Sequence, residues 1–459
     1  MRSPIKSLGP ILLASTVGLG GAVQMAHTHA RAAAAPVTIT VAYQQFGAPP
    51  YWDQLWWQKV KAQVEKSNPN ITVKLQPIVA SESDYYTKVD LALRSASTTP
   101  DLVREDSFLV SSDVTAGYLE PLDKYLATWP EYKQQWFSSM QQITQFNGHN
   151  YGIMNGTDDR ITWYNKDIFK KAGLPTTWQP KSWADILSAA QTIKKKVPGV
   201  IPINVYSGLA ADEASTMQGY EMLLYGTRDA AHLYDYKTKK WVISSRGNQD
   251  TLAFIQKIYD PSNLLGPPND IALTATSGNT VAQQLLPEGK LGIDLDGSWL
   301  SSNWGPSGAK PWPQWKTVLG QAKTPTEFGQ APHYVTLSGG WAYSISARSK
   351  NKDAAWTVLK AANSKDMLAY YDTNVANITP RKDVVDTKAY SSVPLNPFFT
   401  SLLSFAQFRP GFPAYPKISV EIDRAMEAVM TGTSPQAALS TYAQKVTAIA
   451  GASNVEKLP

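Results

Sequence analysis

Residues 147–193 read NGHNYGIMNGTDDRITWYNKDIFKKAGLPTTWQPKSWADILSAAQTI, and this stretch carries the strongest structural signals in the chain. The apolar residues in 161–164 predict a strand, and 165–169 predict the start of a short helix. Gly173 is placed to end that helix in a left-handed conformation, because glycine has no Cβ to clash there. Pro175 then prevents the helix from continuing.

Further strands and helices alternate on both sides of this point. Ser182 with Asp185 three positions later predicts a capped helix start. Near the N-terminus, residues 37–41 alternate apolar and polar, residues 52–64 repeat apolar side chains at helical spacing, and residues 71–75 alternate again. Strand, helix and strand in this order predict a parallel pair, and therefore an α/β fold.

The strings NGHNYG, YNKDIFKKAGLP and TWQPKSWADI occur in this order, and together they resemble the extracellular solute-binding proteins of sugar ABC importers. TTPDLV with AGYLEPLDKYL, SGGW, and SKNKDAAWTVLKAANSKDML are similar to further segments of that family, so the resemblance covers nearly the whole chain after the N-terminus. An ordinary strand–helix unit of another α/β enzyme is the alternative for the central stretch.

The resemblance implies a two-lobe periplasmic-binding-protein fold of type II. Each lobe is then a mainly parallel sheet flanked by helices, with a hinge between the lobes. The crossings are expected near residues 153, 338 and 395. We therefore expect 36–152 and 338–395 to form lobe 1, and 153–337 and 396–459 to form lobe 2.

Length and charge bound the function. A chain of 459 residues is too long for one ordinary domain. Its formal charge is +6, but basic and acidic residues are interspersed, so no basic run is suited to a nucleic-acid backbone. No apolar stretch of about 20 residues follows the N-terminus, so no later transmembrane helix is expected.

The first 35 residues have the pattern of a secretory signal peptide. Arg2 and Lys6 supply positive charge, 11–23 is apolar but short, and small residues follow in 30–35. A membrane anchor is the alternative. The sequence contains no cysteine, which predicts no disulfides and no lipid-modified cysteine. We therefore expect a secreted protein that is periplasmic or associated with the cell surface, free of a lipid anchor.

A sugar site needs flat aromatic faces for pyranose C–H groups and planar polar groups for hydroxyls. The chain has 15 Trp and 22 Tyr, most of which are expected in the core. Trp299 and Trp341 each follow small residues, and the family's stacking tryptophans lie in these two segments. Gly340 would let a ligand approach the backbone.

The polar candidates come from the resemblance and from strand ends. Asp106, Asp159 and Arg409 match positions that contact ligand in trehalose- and maltose-type relatives. Weaker candidates are Gln45 in the loop after the first strand, Glu105, Asp158 and Arg381. Each carboxylate could instead be a solvated or capping group, and each arginine could simply pair with an acid.

A secreted glycoside hydrolase is the rival interpretation, since Asp294 and Asp296 alternate on one strand face and Asp158 adjoins Asp159. A wall or surface interaction module ranks below it. The histidines are scattered, and no metal-binding, nucleophile-elbow or phosphate-loop motif occurs, so we expect no metal and no cofactor.

The sequence therefore predicts a monomeric, non-enzymatic protein. It is expected to capture a di- or oligosaccharide by hinge closure and to deliver it to the membrane permease of an ABC importer.

Overall fold

The computed structural model describes residues 35–45, 49, 51–229, 231–375 and 377–459. The predicted signal peptide, apart from Ala35, lies outside the described residues, and so do Phe46 and Gly47 of the loop after the first strand.

The described strands are numbered β1 to β17 in chain order: Val37–Gln45, Ile71–Val79, Leu102–Asp106, Gln145–Phe146, His149–Asn150, Ile153–Gly156, Arg160–Asn165, Ile201–Val205, Tyr234–Asp235, Lys240–Ser244, Leu291–Gly297, Leu319–Ala322, Thr324–Pro325, Tyr334–Ser338, Trp341–Ile345, Ala406–Phe408 and Val455–Lys457. The described α-helices are numbered α1 to α20: Trp52–Ser67, Glu82–Leu93, Val110–Thr115, Asp123–Leu126, Pro130–Gln135, Ser138–Gln142, Lys166–Ala172, Trp183–Lys196, Met222–Tyr225, Arg246–Tyr259, Asn269–Ala272, Ser277–Thr280, Trp315–Val318, Lys352–Ala362, Lys365–Val375, Lys382–Val385, Lys388–Ser391, Asn396–Leu402, Tyr415–Met430 and Pro435–Ala450. Shorter 3-10 or π segments include Ser215–Glu221 and Ser298–Trp304.

The local signals in the central stretch are confirmed. Gly173 has φ 74° at the end of α7, and its left-handed conformation closes that helix. The Ser182 side chain accepts a hydrogen bond from the Asp185 backbone N–H at the start of α8. Ser434 caps α20 in the same way, with Pro435 in the first turn.

Two main sheets form the framework. The five-stranded sheet has the order β2-β1-β3-β15-β6, and the four-stranded sheet has the order β12-β7-β11-β8. In the first, β1 is parallel to β2 and β3, whereas β15 is antiparallel to β3 and β6. In the second, only β11 and β8 are parallel. Both sheets are therefore mixed, where the sequence predicted mainly parallel sheets.

The mixed directions follow from where the chain passes between the sheets. Strand β15 begins with Trp341 opposite Asp106, the last residue of β3. Strand β7 begins with Arg160 opposite Gly297, the last residue of β11. A strand that enters a sheet where another strand ends must run back along it, so both strands are antiparallel to their neighbours.

Each sheet has its own hydrophobic core. One core packs Trp56, Trp57 and Trp136 with residues of β1, β3 and β15. A larger one packs α8, α10, α19 and α20 against β8 and β11, and a third surrounds Trp163 and Trp304. Strand β6 pairs with β15, so the chain leaves the five-stranded sheet only after Gly156.

Candidate functional site

Two connecting segments, at which the chain leaves and re-enters the five-stranded sheet, lie side by side. They are residues 157–159, between β6 and β7 of the four-stranded sheet, and Gly339–Gly340, between β14 of the small β13-β14-β16 sheet and β15. The Thr157 hydroxyl donates to the Gly339 carbonyl at 2.8 Å, and the Asp158 carboxylate accepts from the Gly339 N–H at 3.0 Å. Gly340 has φ 118°, and a Cβ there would lie 2.5 Å from the Gly156 carbonyl oxygen. A side chain at residue 340 would therefore separate the two segments.

Trp299 lies where β11 ends on the four-stranded sheet. Its indole covers Gly297, since a Cβ at residue 297 would lie 2.0 Å from the ring. The Arg160 guanidinium lies 4.7 Å from the ring centroid, and Arg160 is the register partner of Gly297. The tryptophan is only partly buried, so these contacts leave part of the indole exposed.

Trp341 opens β15 at the corresponding edge of the five-stranded sheet. The Arg104 guanidinium lies 4.1 Å from its ring centroid. The rings of Tyr85 and Tyr86 lie 6.2 and 6.1 Å away, respectively. Like Trp299, Trp341 is partly buried. Each main sheet therefore ends in a partly exposed tryptophan that rests on an arginine.

Asp158 and Asp159 occupy different environments. The Asp158 side chain is 20% exposed and forms an ion pair with Arg160. Asp159 is fully buried, accepts a hydrogen bond from the Ser338 hydroxyl at 2.5 Å, and burial raises the pKa of its carboxyl well above the usual value. Asp158 is thus the one of the two that a ligand could reach, whereas Asp159 joins the connecting segments.

The ion pair between Asp106 and Arg409 links the end of β3 to the segment after β16 of the small β13-β14-β16 sheet. Arg409, which follows β16, donates to the Asp106 carboxylate at 2.7 Å and to Glu213 at 2.9 Å. Its guanidinium also lies 4.1 Å from the ring centroid of Phe108. The Asp106 and Arg409 side chains are 5% and 3% exposed, so the pair is shielded from water.

Further acids surround this pair, more than one arginine can neutralise. Burial and the charge of Asp106 raise the pKa of Glu82 to about 7. Burial raises the pKa of Glu221 to about 8. The Tyr86 hydroxyl lies 2.5 Å from a Glu82 carboxyl oxygen and 2.9 Å from an Asp106 carboxyl oxygen, so its single proton lies between the two acids. Burial therefore raises the pKa values of Glu82 and Glu221 towards neutral pH.

The sequence analysis missed Arg160, Tyr86 and Glu213 as site residues. Arg160 was within the polar stretch that follows β6, and Glu213 follows β8 near the strand's carboxyl end. Carboxyl strand ends are where ligands gather in open α/β sheets, so that rule could have identified Glu213. Tyr86 lies within α2, and its sequence position carries no comparable signal.

Glu105 and Gln45 take separate positions. Glu105 alternates with Asp106 on β3 and points to the other sheet face, where burial and the charge of Asp113 raise the pKa of its carboxyl. Gln45 is the last residue of β1, opposite Val79, and is partly buried. Of these two, only Gln45, at the carboxyl end of its strand, has access to solvent.

The contacts of Arg381 are with residues other than those of the connecting segments. Its side chain is fully buried, and its guanidinium donates to Glu131, Asp383 and the Asn363 carbonyl. It also lies 4.7 Å from the ring centroid of Trp136, which belongs to the core of the five-stranded sheet. The structure therefore does not bring Arg381 together with Asp106, Asp158 or the two tryptophans.

Asp294 and Asp296, the carboxylates on which the hydrolase interpretation rests, are buried. Asp294 is fully buried and accepts from the Asn204 amide at 2.8 Å. Asp296 is 2% exposed and accepts from the Tyr206 hydroxyl at 2.8 Å, and burial raises the pKa of its carboxyl to about 6. A saccharide cannot reach Asp294 without opening the core.

A cavity of about 430 Å³ adjoins Arg409. Its lining includes Ser107 and Phe108 after β3, Phe146 of the short β4–β5 hairpin, and Phe408 and Phe412 of the second half. It therefore lies between the segment after β3, the β4–β5 hairpin and the segment that contains and follows β16.

The described residues show neither a metal-binding cluster nor a membrane-spanning helix. No group of three or more histidine or acidic side chains within them is arranged to hold a metal ion. None of the helices in that part of the chain combines the length and apolar character that a membrane span needs.

A family comparison identifies the protein class. The model of the bacterial extracellular solute-binding proteins matches residues 49–368, so the chain belongs to that family. A putative binding protein of Brucella abortus is 26% identical over 419 residues, which are 91% of this chain and 93% of that protein. The galactooligosaccharide-binding protein of Bacillus subtilis is 23% identical and covers 76% of each chain.

A comparison of structures identifies the fold. The GacH receptor of Streptomyces glaucescens, solved unliganded and with acarbose, aligns with a TM-score of 0.73 and 21% identity, over 90% of this chain and 98% of that one. The predicted two-lobe α/β fold is therefore confirmed. The five-stranded sheet builds one lobe and the four-stranded sheet builds the other.

Proposed function

We propose that this solute-binding protein captures a di- or oligosaccharide in the cleft between its lobes and presents it to the permease of an ABC importer. The observation that carries the proposal is the pair Trp299 and Trp341. Each lies at the end of a different main sheet, half-buried, beside polar groups of the connecting segments. The names of the Bacillus subtilis relative and of the acarbose complex point to the same ligand class.

The mechanism follows from the position of these groups. A ligand that contacts both lobes favours the closed state by the difference between its affinities for the two states. The permease then recognises the closed form. No step makes or breaks a covalent bond, and the protein acts as a monomer.

The ligand contacts fall into two sets. Trp299 and Trp341 stack on sugar rings, and Asp158 exchanges hydrogen bonds with hydroxyl groups. Asp106 and Arg409 are proposed to do so only after the lobes move apart to admit the ligand, because their side chains are 5% and 3% exposed. Gly340 lets the two connecting segments lie against each other beside the ligand, and Gln45 lies at the rim. Asp159 and Glu105 shape the site from within their lobes. Arg381 is not proposed as a ligand contact, because its guanidinium already donates to Glu131, Asp383 and the Asn363 carbonyl.

The lobe boundaries follow the connecting segments. Lobe 1 comprises about 36–156 and 340–395, and lobe 2 comprises about 157–339 and 396–459. The first boundary is later than the expected 152/153 because β6 hydrogen bonds within the five-stranded sheet. Tyr390 belongs to the core of the five-stranded sheet and Phe399 to the core around Trp163, which supports a last boundary between them, although Ile378 also joins the core around Trp163.

Export precedes function in this proposal. The first 30 to 35 residues or so are removed as a signal peptide, and the mature protein carries no lipid. N-terminal sequencing of the exported protein tests this step. An intact Met1 in the mature form contradicts it.

A thermal-shift screen combined with product analysis tests the function. Maltose, maltotriose, trehalose and galactobiose are each titrated into the purified protein. At least one is expected to raise the melting temperature saturably, because it binds the native state alone. No shorter saccharide is expected after long incubation. Reproducible hydrolysis that an Asp158→Asn variant abolishes would establish an enzyme instead.

A further inference from the structure

The two tryptophans at the cleft share an arrangement that the family comparison does not assign. Each indole rests on a buried guanidinium from its own lobe: Trp299 on Arg160 and Trp341 on Arg104. We propose that Arg160 and Arg104 are positioning residues that hold the two indoles with one ring face turned to the ligand. This inference rests on the proposed function for the ligand, but the positioning itself is a property of the empty protein.

Arg160 is held on all sides. Its Nε donates to the Gln218 side-chain oxygen at 3.2 Å, Nη1 to the Leu337 carbonyl at 3.1 Å, and Nη2 to the Met217 sulfur at 3.2 Å. Nη1 also pairs with Asp158. The side chain is 5% exposed. The guanidinium is therefore a fixed surface on which the indole can lie.

The backbone register explains why Trp299 reaches this surface. Arg160 and Gly297 are opposite each other on adjacent antiparallel strands, and Trp299 follows two residues after Gly297. Glycine leaves the space that the indole occupies, since a Cβ would lie 2.0 Å from the ring. Any side chain at residue 297 would therefore displace the indole from Arg160.

Arg104 provides the corresponding surface in the other lobe. Its side chain is 6% exposed, and its Nη1 lies 3.5 Å from the Asp53 carboxylate. Its Nε and Nη1 make no hydrogen bond to the described residues. The face of Trp341, 4.1 Å away, partly compensates this buried charge through a cation–π interaction.

The arrangement has a consequence for ligand binding. A planar guanidinium can stack on the face of an indole. A lysine ammonium can only interact with that face as a point charge, without the planar contact. The ring is then ordered before the ligand arrives, so less side-chain freedom is lost on binding. Asp158 and Trp299 share Arg160, so this one residue fixes a polar contact and a stacking contact together.

The alternative is that the arginines have only an electrostatic role, with Arg160 neutralising Asp158 and Arg104 neutralising Asp53. Charge neutralisation alone would be preserved by lysine and would not depend on the tryptophans. The two interpretations therefore differ in the effect of Arg→Lys and in whether that effect requires the indole.

The first measurement examines the tryptophan environments in the protein without sugar. Protein labelled with 5-fluorotryptophan is measured by ¹⁹F NMR, and the two resonances are assigned by their loss in Trp299→Phe and Trp341→Phe. Arg160→Lys is expected to shift or broaden the Trp299 resonance and leave the Trp341 resonance in place, and Arg104→Lys is expected to do the reverse. Arg228→Lys is the control, since Arg228 lies 4.3 Å from the centroid of the Phe328 ring, outside the cleft.

The second measurement is a double-mutant cycle on sugar affinity. The probe is the sugar of the four-member panel with the largest thermal shift. Arg160→Lys is expected to weaken its binding about tenfold in the wild-type background and much less in the Trp299→Phe background. Gly297→Ala, which displaces the indole without changing Arg160, is expected to weaken binding similarly. Gly297→Ala also replaces Arg160→Lys as the test variant if Arg160→Lys does not fold.

Unchanged ¹⁹F resonances in Arg160→Lys and Arg104→Lys would overturn the proposal. So would an equal loss of affinity in both backgrounds, since Arg160 would then act through Asp158 alone. If no sugar of the panel binds the wild type, the proposed ligand class fails while the ¹⁹F result still decides the positioning role.

Discussion

Arg381 and Arg409 look alike in isolation. Both are buried arginines, each bonded to two carboxylates and each stacked on an aromatic ring. Arg381 pairs with Glu131 and Asp383 over Trp136, at 4.7 Å from the ring centroid. Arg409 pairs with Asp106 and Glu213 over Phe108, at 4.1 Å. Both were predicted as ligand contacts.

Their surroundings separate them. The partners of Arg381 lie within the proposed lobe 1, and the side chains of Glu131 and Asp383 are 46% and 22% exposed. The partners of Arg409, Asp106 and Glu213, lie in different proposed lobes and are 5% and 13% exposed. Arg381 therefore stabilises one lobe, whereas Arg409 acts where the lobes meet.

The pKa directions of the carboxylates differ accordingly. The hydrogen bonds from Arg381 hold the pKa of Asp383 below its usual value. Burial raises the pKa of Glu213 although Arg409 opposes the shift. The two acids beside Arg381 are accessible to water, which can solvate their excess negative charge, whereas the acids near Arg409 are buried. Burial and pairing alone therefore do not indicate which arginine faces the ligand.

The largest expected effect extends this comparison to tryptophans. Trp304→Ala removes a core ring that is 1% exposed, and should cost roughly 3–5 kcal/mol of unfolding free energy. Trp299→Ala or Trp341→Ala should lower sugar affinity by about 2–3 kcal/mol while the empty protein loses little stability. Urea unfolding and calorimetric titration measure both quantities. A large loss of stability with unchanged affinity per folded molecule would make Trp299 or Trp341 a core residue.

The second prediction concerns Arg381→Met. It removes the contacts to Asn363 and Trp136 from the core and should cost about 3 kcal/mol of unfolding free energy. Sugar affinity of the folded molecules should stay the same, because Arg381 does not face the cleft. Arg228→Met is the control for loss of a surface arginine. A marked loss of affinity in Arg381→Met at full folding would return this residue to the site.

The third prediction concerns Arg409→Met. It leaves Asp106 and Glu213 facing each other without a cation, and the lobes can relieve this by moving apart. We expect a loss of sugar affinity of about 2 kcal/mol and a smaller loss of stability than in Arg381→Met. Small-angle scattering should show a more open empty protein. Equal stability losses in the two variants would remove the distinction between the two arginines.

The smallest effect is a difference in pH dependence. The pKa of Glu221 is raised from 4.5 to about 8 by burial, so its contribution to stability is present below pH 4.5 and is lost as pH rises towards 8. The pKa of Asp383 is lowered, so its contribution is present above its unfolded value of 3.8 and is lost as pH falls further. Each site changes the unfolding free energy by at most about 1.4 kcal/mol per pH unit.

Two variants separate these contributions. Glu221→Gln should flatten the decrease in stability between pH 5 and 8, and Asp383→Asn should flatten the decrease below about pH 4. Urea unfolding across this range gives both slopes. An unchanged slope between pH 5 and 8 in Glu221→Gln would show that the acids near Arg409 are not the proton-binding groups.

The elements and the family could be predicted from the sequence because their signals are local. The Gly173 cap depends on one residue without a Cβ, and the Ser182 cap depends on one side chain and the next turn. Apolar periodicity in residues 37–41 and 52–64 depends only on spacing along the chain. The two-lobe fold followed from the order of such signals and from the resemblance that the order carries.

The details of the site depended on distant partners. Asp158 and Asp159 are adjacent in sequence, but one pairs with Arg160 near solvent and the other is bonded to Ser338 inside the protein. Glu105 and Asp106 are separated in the same way, because successive strand residues point to opposite faces. The strand directions also depended on where the chain crosses between the lobes.

The sequence by itself determined where this chain forms helices and strands, which family it belongs to, and that Trp299 and Trp341 each follow a glycine-containing pair of small residues. Only the tertiary structure decided that Arg409 joins two lobes while Arg381 stays within one, and that each tryptophan rests on an arginine. The physical reason is that capping and periodicity act over a few residues. Burial, charge balance and the facing of two sheet edges arise between residues such as Asp106 and Arg409, which are 303 positions apart.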